Sequence, residues 1–291
     1  MADAVGAVEG AFRALGERRV ERPAVATVHG DDGAFHIKAA RMGNYFAAKV
    51  NGNFFSSVPR IRGVIVLADA REGKILAVID SIAITTLRTG AATAVAAQKL
   101  ARCDARSILV IGCGNQGRVQ LRAIQEVRPI ERIFALDTNR EAARAFAGET
   151  GAQLVDKPVD VDIVVTCTAS HSPILEAARR GTFVAAVGAD STEKQEIAAS
   201  FMASAKVVTD VTDQCVAMGD LRHAIAAGVM TREDVHAELG DIVAGKAPGR
   251  ESDDEIIVFD STGMALQDVA AAAIVYERAR ASRRGSDFAF T

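Results

Sequence analysis

The sequence predicts an α/β protein in which a central, doubly wound parallel sheet is inserted into a discontinuous α+β domain. Three observations carry this. From Ser107 onward, short apolar runs (ILVIG, RIFALD, QLVD, DIVVTCT, TFVAAVG, KVVTDV) alternate with helical segments, the rhythm of right-handed crossovers. Apolar residues make up 49% of the 291 residues, aromatics only 5%, and tryptophan is absent. Ala, Val, Ile and Leu must therefore fill the core, as in buried parallel strands flanked by Ala-rich helices. Before Ser107, strand-like runs follow one another without intervening helices, the pattern of a mixed or antiparallel sheet.

Taken in order, Val5, Val8, Phe12 and Leu15 recur at helical spacing and predict an opening amphipathic helix over 3–15. FHIKAA, YFAAKV, GVIVLADA and KILAVIDS are strands separated by glycine-bearing turns. TTLRTGAATAVAAQKLA (85–101) is a long Ala-rich helix interrupted only by Gly90. After the alternating segment, KAPGRESDDE is an exposed loop, EIIVFDS a further strand, and 264–280 a closing helix. The expected division is 1–94 plus 259–291 in one domain and 95–258 in the other.

The bulk properties exclude several classes. A net charge of −3 and a pI near 6.0 give no electrostatic reason to expect nucleic acid. No apolar run reaches the roughly 18 residues that span a bilayer. The start, MADAVGAVEG, carries acids where a secretory signal carries bases. Cys103, Cys113, Cys167 and Cys215 are scattered, with no CxxC and no neighbouring histidine set. The expectation is a soluble, cytoplasmic protein without metal, disulfide or membrane partner.

The stretch SILVIGCGNQGRVQL places Gly112, Gly114 and Gly117 in G-x-G-x-x-G. Alone this is a weak signal, since glycines punctuate many strand–helix turns. Its context strengthens it: the glycines follow a strand, open a helix, and precede a second strand ending at Asp137, twenty residues beyond Gly117. Gly112 permits the tight turn, Gly114 lets backbone amides approach a pyrophosphate, and Gly117 lets helix and strand pack closely. The helix N-terminus adds its partial positive charge. A Rossmann domain binding a nicotinamide dinucleotide follows. Asp137 accepts hydrogen bonds from ribose hydroxyls and repels a 2′-phosphate, so NAD is expected in preference to NADP. Arg140, three residues on, either softens that preference by pairing a phosphate or stands solvated on the first helical turn.

The substrate side needs a group for charge and a group for a proton. Arg88 lies in an apolar helix followed by small residues, either as a surface arginine or as a clamp for a carboxylate or phosphate. Lys49 sits among apolar neighbours in a strand; lysines are seldom buried without a partner, although an edge strand would also account for it. Asp190 follows the strand TFVAAVG, at the end where open α/β sheets place ligands, as a helix N-cap or a chemical group.

KVNGNF, LRTGAATAVAAQKLA, VIGCGNQG, AVGADSTEKQEI and FDSTGMALQDVAAA together resemble the ornithine cyclodeaminase/mu-crystallin family. The motifs span nearly the whole chain. The resemblance implies a dimerisation and substrate domain built from both chain ends around a central Rossmann domain, and an amino- or imino-acid activity. It implies Lys49 facing the substrate carboxylate or a reacting water, Arg88 clamping the carboxylate, and Asp190 handling the proton at the substrate nitrogen. Thr89, Val187, Ser261, Thr262 and Gly263 would line the nicotinamide side, and Gly114, Asn115, Gln116 and Gly117 the pyrophosphate. Thr138, Arg140, Thr166 and Thr168 complete the expected cofactor shell.

The chain also departs from that pattern. A glutamate that holds the substrate amine in cyclodeaminases is replaced, thirteen residues before Lys49, by His36. The early arginine has no match near Val25, and the Pro-Gly after the lysine motif is Phe55–Ser56. Lys38 or Arg41 is the candidate second cation, and His36 and Lys38 are candidate substrate contacts.

The leading expectation is an NAD-dependent amino-acid dehydrogenase or imino-acid reductase, acting on a polar or dicarboxylic imino acid such as iminosuccinate. The alternatives are a cyclodeaminase that retains NAD while releasing ammonia from ornithine or lysine, and a mu-crystallin-like nucleotide binder without turnover. The binder is disfavoured because such chains lack the acid at the Asp190 position. A hydroxyacid dehydrogenase would require His171 or His223 beside the nicotinamide. Bare sheet edges in the small domain are costly, and the resemblance implies that a homodimer covers them.

Overall fold

The computed structural model describes residues 1–54, 56–59 and 61–287; Phe55 and the last four residues of the 259–291 segment lie outside them. Helix α1 (Ala2–Gly16) leads into a meander of β1 (Ala24–Gly30), β2 (Gly33–Met42), β3 (Tyr45–Phe54), β4 (Ile61–Asp69) and β5 (Ile75–Asp80), antiparallel in that order. Helix α2 (Ser81–Leu100) follows directly. It starts four residues before the expected 85, because the Asp80 carboxylate accepts from the Ile82 amide at 2.8 Å and caps the first turn. Strand β1 was not anticipated. Every residue of it is exposed, so it lacks the alternation that marks a half-buried strand.

The rest of the chain supplies an eight-stranded, wholly parallel sheet. Its strands are β6 (Ser107–Ile111), β7 (Arg132–Leu136), β8 (Gln153–Leu154), β9 (Ile163–Thr166), β11 (Phe183–Ala186), β13 (Lys206–Thr209), β14 (Ala237–Glu238) and β15 (Ile257–Asp260), ordered β14-β13-β15-β11-β9-β6-β7-β8. Strands β10 (His171–Leu175) and β12 (Gln195–Ile197) pair separately. The helices are α3 (Asn115–Gln125), α4 (Arg140–Thr150), α5 (Ala199–Ser204), α6 (Thr212–Met218), α7 (Asp220–Ala226), α8 (Leu239–Val243) and α9 (Ala265–Ala281).

Strands β6, β9, β11 and β15 are buried along their whole length. Alternate residues feed two cores. Ile108, Val110, Val165, Phe183 and Phe259 pack on one face, and Leu109, Ile111, Val164, Val184 and Val258 on the other. That division is what doubly wound means physically. The strand order reverses at β6, between β7 and β9, which places a ligand crevice beyond the C-terminal ends of these strands.

The meander is two-faced. Ala40, Ala47, Ile65 and Leu67 are buried on its inner face, against which α9 packs. Val28, Phe35, Phe46, Val64 and Val78 stand exposed on the outer face. A boundary at 94/95 would cut α2, and one at 258/259 would cut β15 within the parallel sheet. The two units thus share continuous elements instead of meeting at a linker. Among the described residues no helix is long and apolar enough to cross a membrane.

Candidate active site

The glycine loop leaves β6 at Gly112, whose φ of +105° is a left-handed conformation that glycine adopts without strain. A Cβ on Gly117 would lie 2.2 Å from the Gly112 carbonyl oxygen, so only glycine lets α3 approach this closely. Gly114 is the N-cap of α3, and no side chain caps the first amides of that helix. Those amides are free for an anion. Asp137, just past β7, accepts from the Cys113 amide at 2.7 Å and the Asn139 amide at 2.8 Å. It therefore shapes the loop, and each oxygen keeps a lone pair for a ribose hydroxyl. Gly112, Gly114, Asp137, Thr138, Arg140 and Thr168 line one cavity of about 1040 Å³. This donor set fits a dinucleotide. Asn115 lies instead at the adjoining cleft between α2 and α3, where Thr86 and Leu87 face it.

Several expected cofactor residues are held by carboxylates that the sequence reading did not single out. Glu196 is fully buried and accepts from Thr166 Oγ1 (2.8 Å), the Thr168 amide (2.6 Å), Thr168 Oγ1 (2.8 Å) and the Gly188 amide (2.8 Å). It ties together the ends of β9 and β11. Burial, with Asp220 nearby, pushes its pKa up to about 7. Asp210, also fully buried, accepts from the Gly263 amide (2.6 Å), Ser261 Oγ (3.1 Å) and Thr262 Oγ1 (3.4 Å). The hydroxyls of Thr166, Ser261 and Thr262 are thus engaged in shaping loops. The Thr89 hydroxyl is bonded to Thr85 O within α2 (2.8 Å), the Val187 amide to Thr166 O (2.9 Å), and Gln116 Oε1 to Gln120 Nε2 (3.5 Å).

The cations converge. The pleat turns His36, Lys38, Lys49 and Asn51 to the inner face, with Lys38 paired to Lys49 and His36 to Asn51 in register. Arg41, an odd-numbered neighbour, points outward and is exposed, away from the buried cluster that Lys38 joins. Lys49 Nζ lies 2.8 Å from Asp268 Oδ2, and Arg88 donates through Nε to Asp268 Oδ1 (3.0 Å) and through Nη1 to Gln267 Oε1 (3.0 Å). Lys38 Nζ donates to the carbonyls of Thr262 (3.0 Å) and Gly263 (2.6 Å). Gly263 has φ +79°, and a Cβ there would overlap the Arg88 guanidinium.

Lys38, Lys49, Arg88 and Asp268 are all buried, and burial governs the protonation of the two lysines and the carboxyl. It pulls Lys38 below the usual lysine range, with Arg88 acting in the same direction. It takes Lys49 down to about 7, against the opposing pull of Asp268. Burial acts to raise Asp268, but Lys49 and Arg88 outweigh it and hold the carboxyl below its ordinary value.

Asp190 follows β11 in the same crevice. It lines a second cavity of about 370 Å³ with His36, Thr27, His29, His171 and Lys194. His36 is hydrogen-bonded to Thr27 Oγ1 (3.3 Å), and burial lowers its pKa. His171 lies at this cavity, whereas His223 is engaged with the Lys194 carbonyl (2.9 Å).

Asp268, Gln267, Glu196, Asp210 and Lys194 were missed by sequence reasoning. The signal for Asp268 was available: an acid one turn into the apolar helix ALQDVAAA has no bland reason to be there.

Comparison with known proteins agrees with this geometry. The chain is 36% identical over 303 residues to the alanine dehydrogenase of Archaeoglobus fulgidus, covering 100% of this chain and 94% of that protein. It is 33% identical over 293 residues to the iminosuccinate reductase of Paracoccus denitrificans, covering 94% and 91%. An archaeal alanine dehydrogenase dimer with bound NAD superposes with a TM-score of 0.96 at 35% identity, covering 100% of this chain and 95% of that one. The sequence model of the ornithine cyclodeaminase/mu-crystallin family matches residues 1–283, and the chain belongs to that family.

Proposed function

We propose that the protein is an NAD-dependent oxidoreductase of C–N bonds that reduces a 2-imino acid or oxidises the corresponding 2-amino acid. One observation carries this reading: three buried cations, Lys38, Lys49 and Arg88, lie together where one carboxylate, Asp268, pairs directly with Lys49 and Arg88 while Lys38 has only the Thr262 and Gly263 carbonyls, beside the crevice where Asp190 stands. The surplus positive charge calls for an anion, and a substrate carboxylate supplies it. Asp190, held ionised, offers its negative charge to the nitrogen. A C=N group accepts a hydride readily only when its nitrogen is protonated, so a carboxylate there selects the reactive cation. Bound NAD(H) supplies or takes the hydride. Arg88 and Lys49 fix the carboxylate end, and Asp190 orients the nitrogen end.

The polar cavity around His36 favours a substrate with a polar side chain, of which iminosuccinate is one example. A histidine carries no negative charge in either protonation state, so His36 does not supply the charge of the amine-binding glutamate of a cyclodeaminase, and the reductase reading is preferred. We further propose that a second copy of the chain covers the apolar outer face of the meander.

The test is a screen of 2-oxo acids, oxaloacetate and pyruvate among them, with ammonia or methylamine and with NADH or NADPH, followed by nucleotide absorbance. Oxidation of NADH supports the reading. Ammonia release from ornithine or lysine without net nucleotide change replaces it with the lyase, and NADH binding without turnover replaces it with the binder.

A further inference from the structure

The loop after β11 carries two opposite charges four residues apart. Lys194 Nζ lies 2.6 Å from Asp190 Oδ1. The two side chains are not equally open: Lys194 is 14% exposed and Asp190 is 52% exposed. The ammonium is thus packed away while the carboxylate faces the cavity.

The backbone that carries them is pinned from α7. Arg222 Nη1 donates to Thr192 O at 3.0 Å, and His223 Nε2 donates to Lys194 O at 2.9 Å. On the other side, the Gly188 amide is held by Glu196 at 2.8 Å. An exposed Lys–Asp pair on a mobile loop would contribute little. Here the backbone on both sides is anchored and the ammonium is shielded, so the loop brings the two side chains together.

The groups facing Asp190 can be enumerated by element. Strand β2 presents His36 and Lys38, β1 presents His29, and β10 presents His171. The β1–β2 turn adds Asp31 and Asp32, and the loop itself adds Glu193 and Lys194. Crowding at the cavity wall acts to raise the Asp190 pKa, but Lys194 first, then Lys38 and His36, bring it below its ordinary value. Lys194 is the only one of these in direct contact with the carboxylate among the described residues.

We propose that Lys194 is a positioning residue for Asp190: its ammonium occupies the place of a cationic nitrogen and holds the carboxylate charged and aimed into the cavity until a protonated C=N group takes that place. A neutral nitrogen leaves the Asp190–Lys194 pair intact, whereas a cationic one exchanges for the ammonium with no change in charge at the carboxylate. The identity of the incoming nitrogen rests on the oxidoreductase reading; the pairing itself does not.

The test uses the full chain with K194M, K194Q as a second neutral variant, and K194R. NADH affinity, read by fluorescence, stays within about twofold in all three and confirms that they fold. Loss of an opposite charge in contact moves a carboxylate substantially. The acid limb of kcat/KM for pyruvate with methylamine therefore moves to higher pH in K194M and K194Q, lowering activity at that end about tenfold or more, and returns in K194R. In parallel, the ¹³C carboxyl resonance of Asp190, assigned by its loss in D190N, is titrated. Its midpoint rises in the neutral variants and is restored by K194R. An unmoved midpoint overturns the proposal, whatever the turnover. A midpoint that follows Lys194 in a protein that binds NADH but reduces no imine overturns the oxidoreductase reading and leaves the pairing standing.

Discussion

Replacing Asp268 by Asn tests the buried charge cluster most directly. Asp268 is 1% exposed and takes Lys49 on one oxygen and Arg88 on the other, so D268N leaves two buried cations facing a neutral amide. Removing one partner of a buried ion pair costs about 3–5 kcal/mol. With roughly 2.1 cal/mol/K of unfolding entropy per residue over 291 residues, that is a fall in Tm of about 5–8 °C. The deficit has a pH signature. Folded Lys49 loses its proton above about 7, while the unfolded chain keeps it to 10.5. The native state therefore binds fewer protons across that window, and this group makes wild-type stability rise with pH there. Asp268 opposes the downward shift, so in D268N Lys49 sheds its proton at still lower pH. The variant thus falls furthest behind the wild type at about pH 6, where the wild-type ammonium is charged and paired, and less far behind at about pH 9, where both lysines are neutral. Thermal unfolding by circular dichroism at those two values is the assay. A deficit that is equal at both, or that stays below about 1 kcal/mol at both, would refute the account of a cation cluster neutralised by one acid.

Three further outcomes follow from the same geometry. Gly117→Ala drives a methyl into the Gly112 carbonyl, an overpacking of about 1–3 kcal/mol that displaces α3 from β6, so NADH affinity measured by fluorescence falls about tenfold or more. In the wild type, kcat/KM falls above about 7 as Lys49 loses its charge; K49R keeps the charge, so its alkaline limb moves upward, and an identical pH profile in the two proteins would exclude Lys49 as the carboxylate's cation. A Phe46→Lys, Val64→Lys double variant places charge on the exposed outer face of the meander; sedimentation velocity is expected to show a dimer converted to monomer with NADH binding retained, and a sedimentation coefficient shared with the wild type would refute that interface.

The sequence made some of this legible for plain physical reasons. Strands β6, β9, β11 and β15 are buried on both faces, so they appear as uninterrupted apolar runs. The glycine loop was legible because Gly112 supplies a positive φ and Gly117 the close approach of α3, with Gly114 opening the helix between them. Strand β1 was not, because it is wholly exposed and held by pairing with β2. Nor were β10, which carries Pro173, and the two-residue β14 legible as strands. Lys49, Arg88 and Asp190 stood out as charges at odds with their neighbours. Glu196 and Asp210 did not: Glu196 sits in the three-residue strand β12 among polar residues, and Asp210 after β13 looks like a cap until the amides it holds are known. The odd spacing of Lys38 and Arg41 puts them on opposite faces of one strand, but does not say which of the two faces is the buried one.

The threading of β15 between β11 and β13 constrains how this chain can be divided. A truncation after residue 258 would halve this central strand and leave Ala185–Ala186 of β11 and Val208–Thr209 of β13 without their partners Phe259 and Asp260. The nucleotide-binding half therefore depends on the same terminal segment that delivers Asp268 to the cations. Losing that segment would disable both halves together, and neither would survive as an independent module.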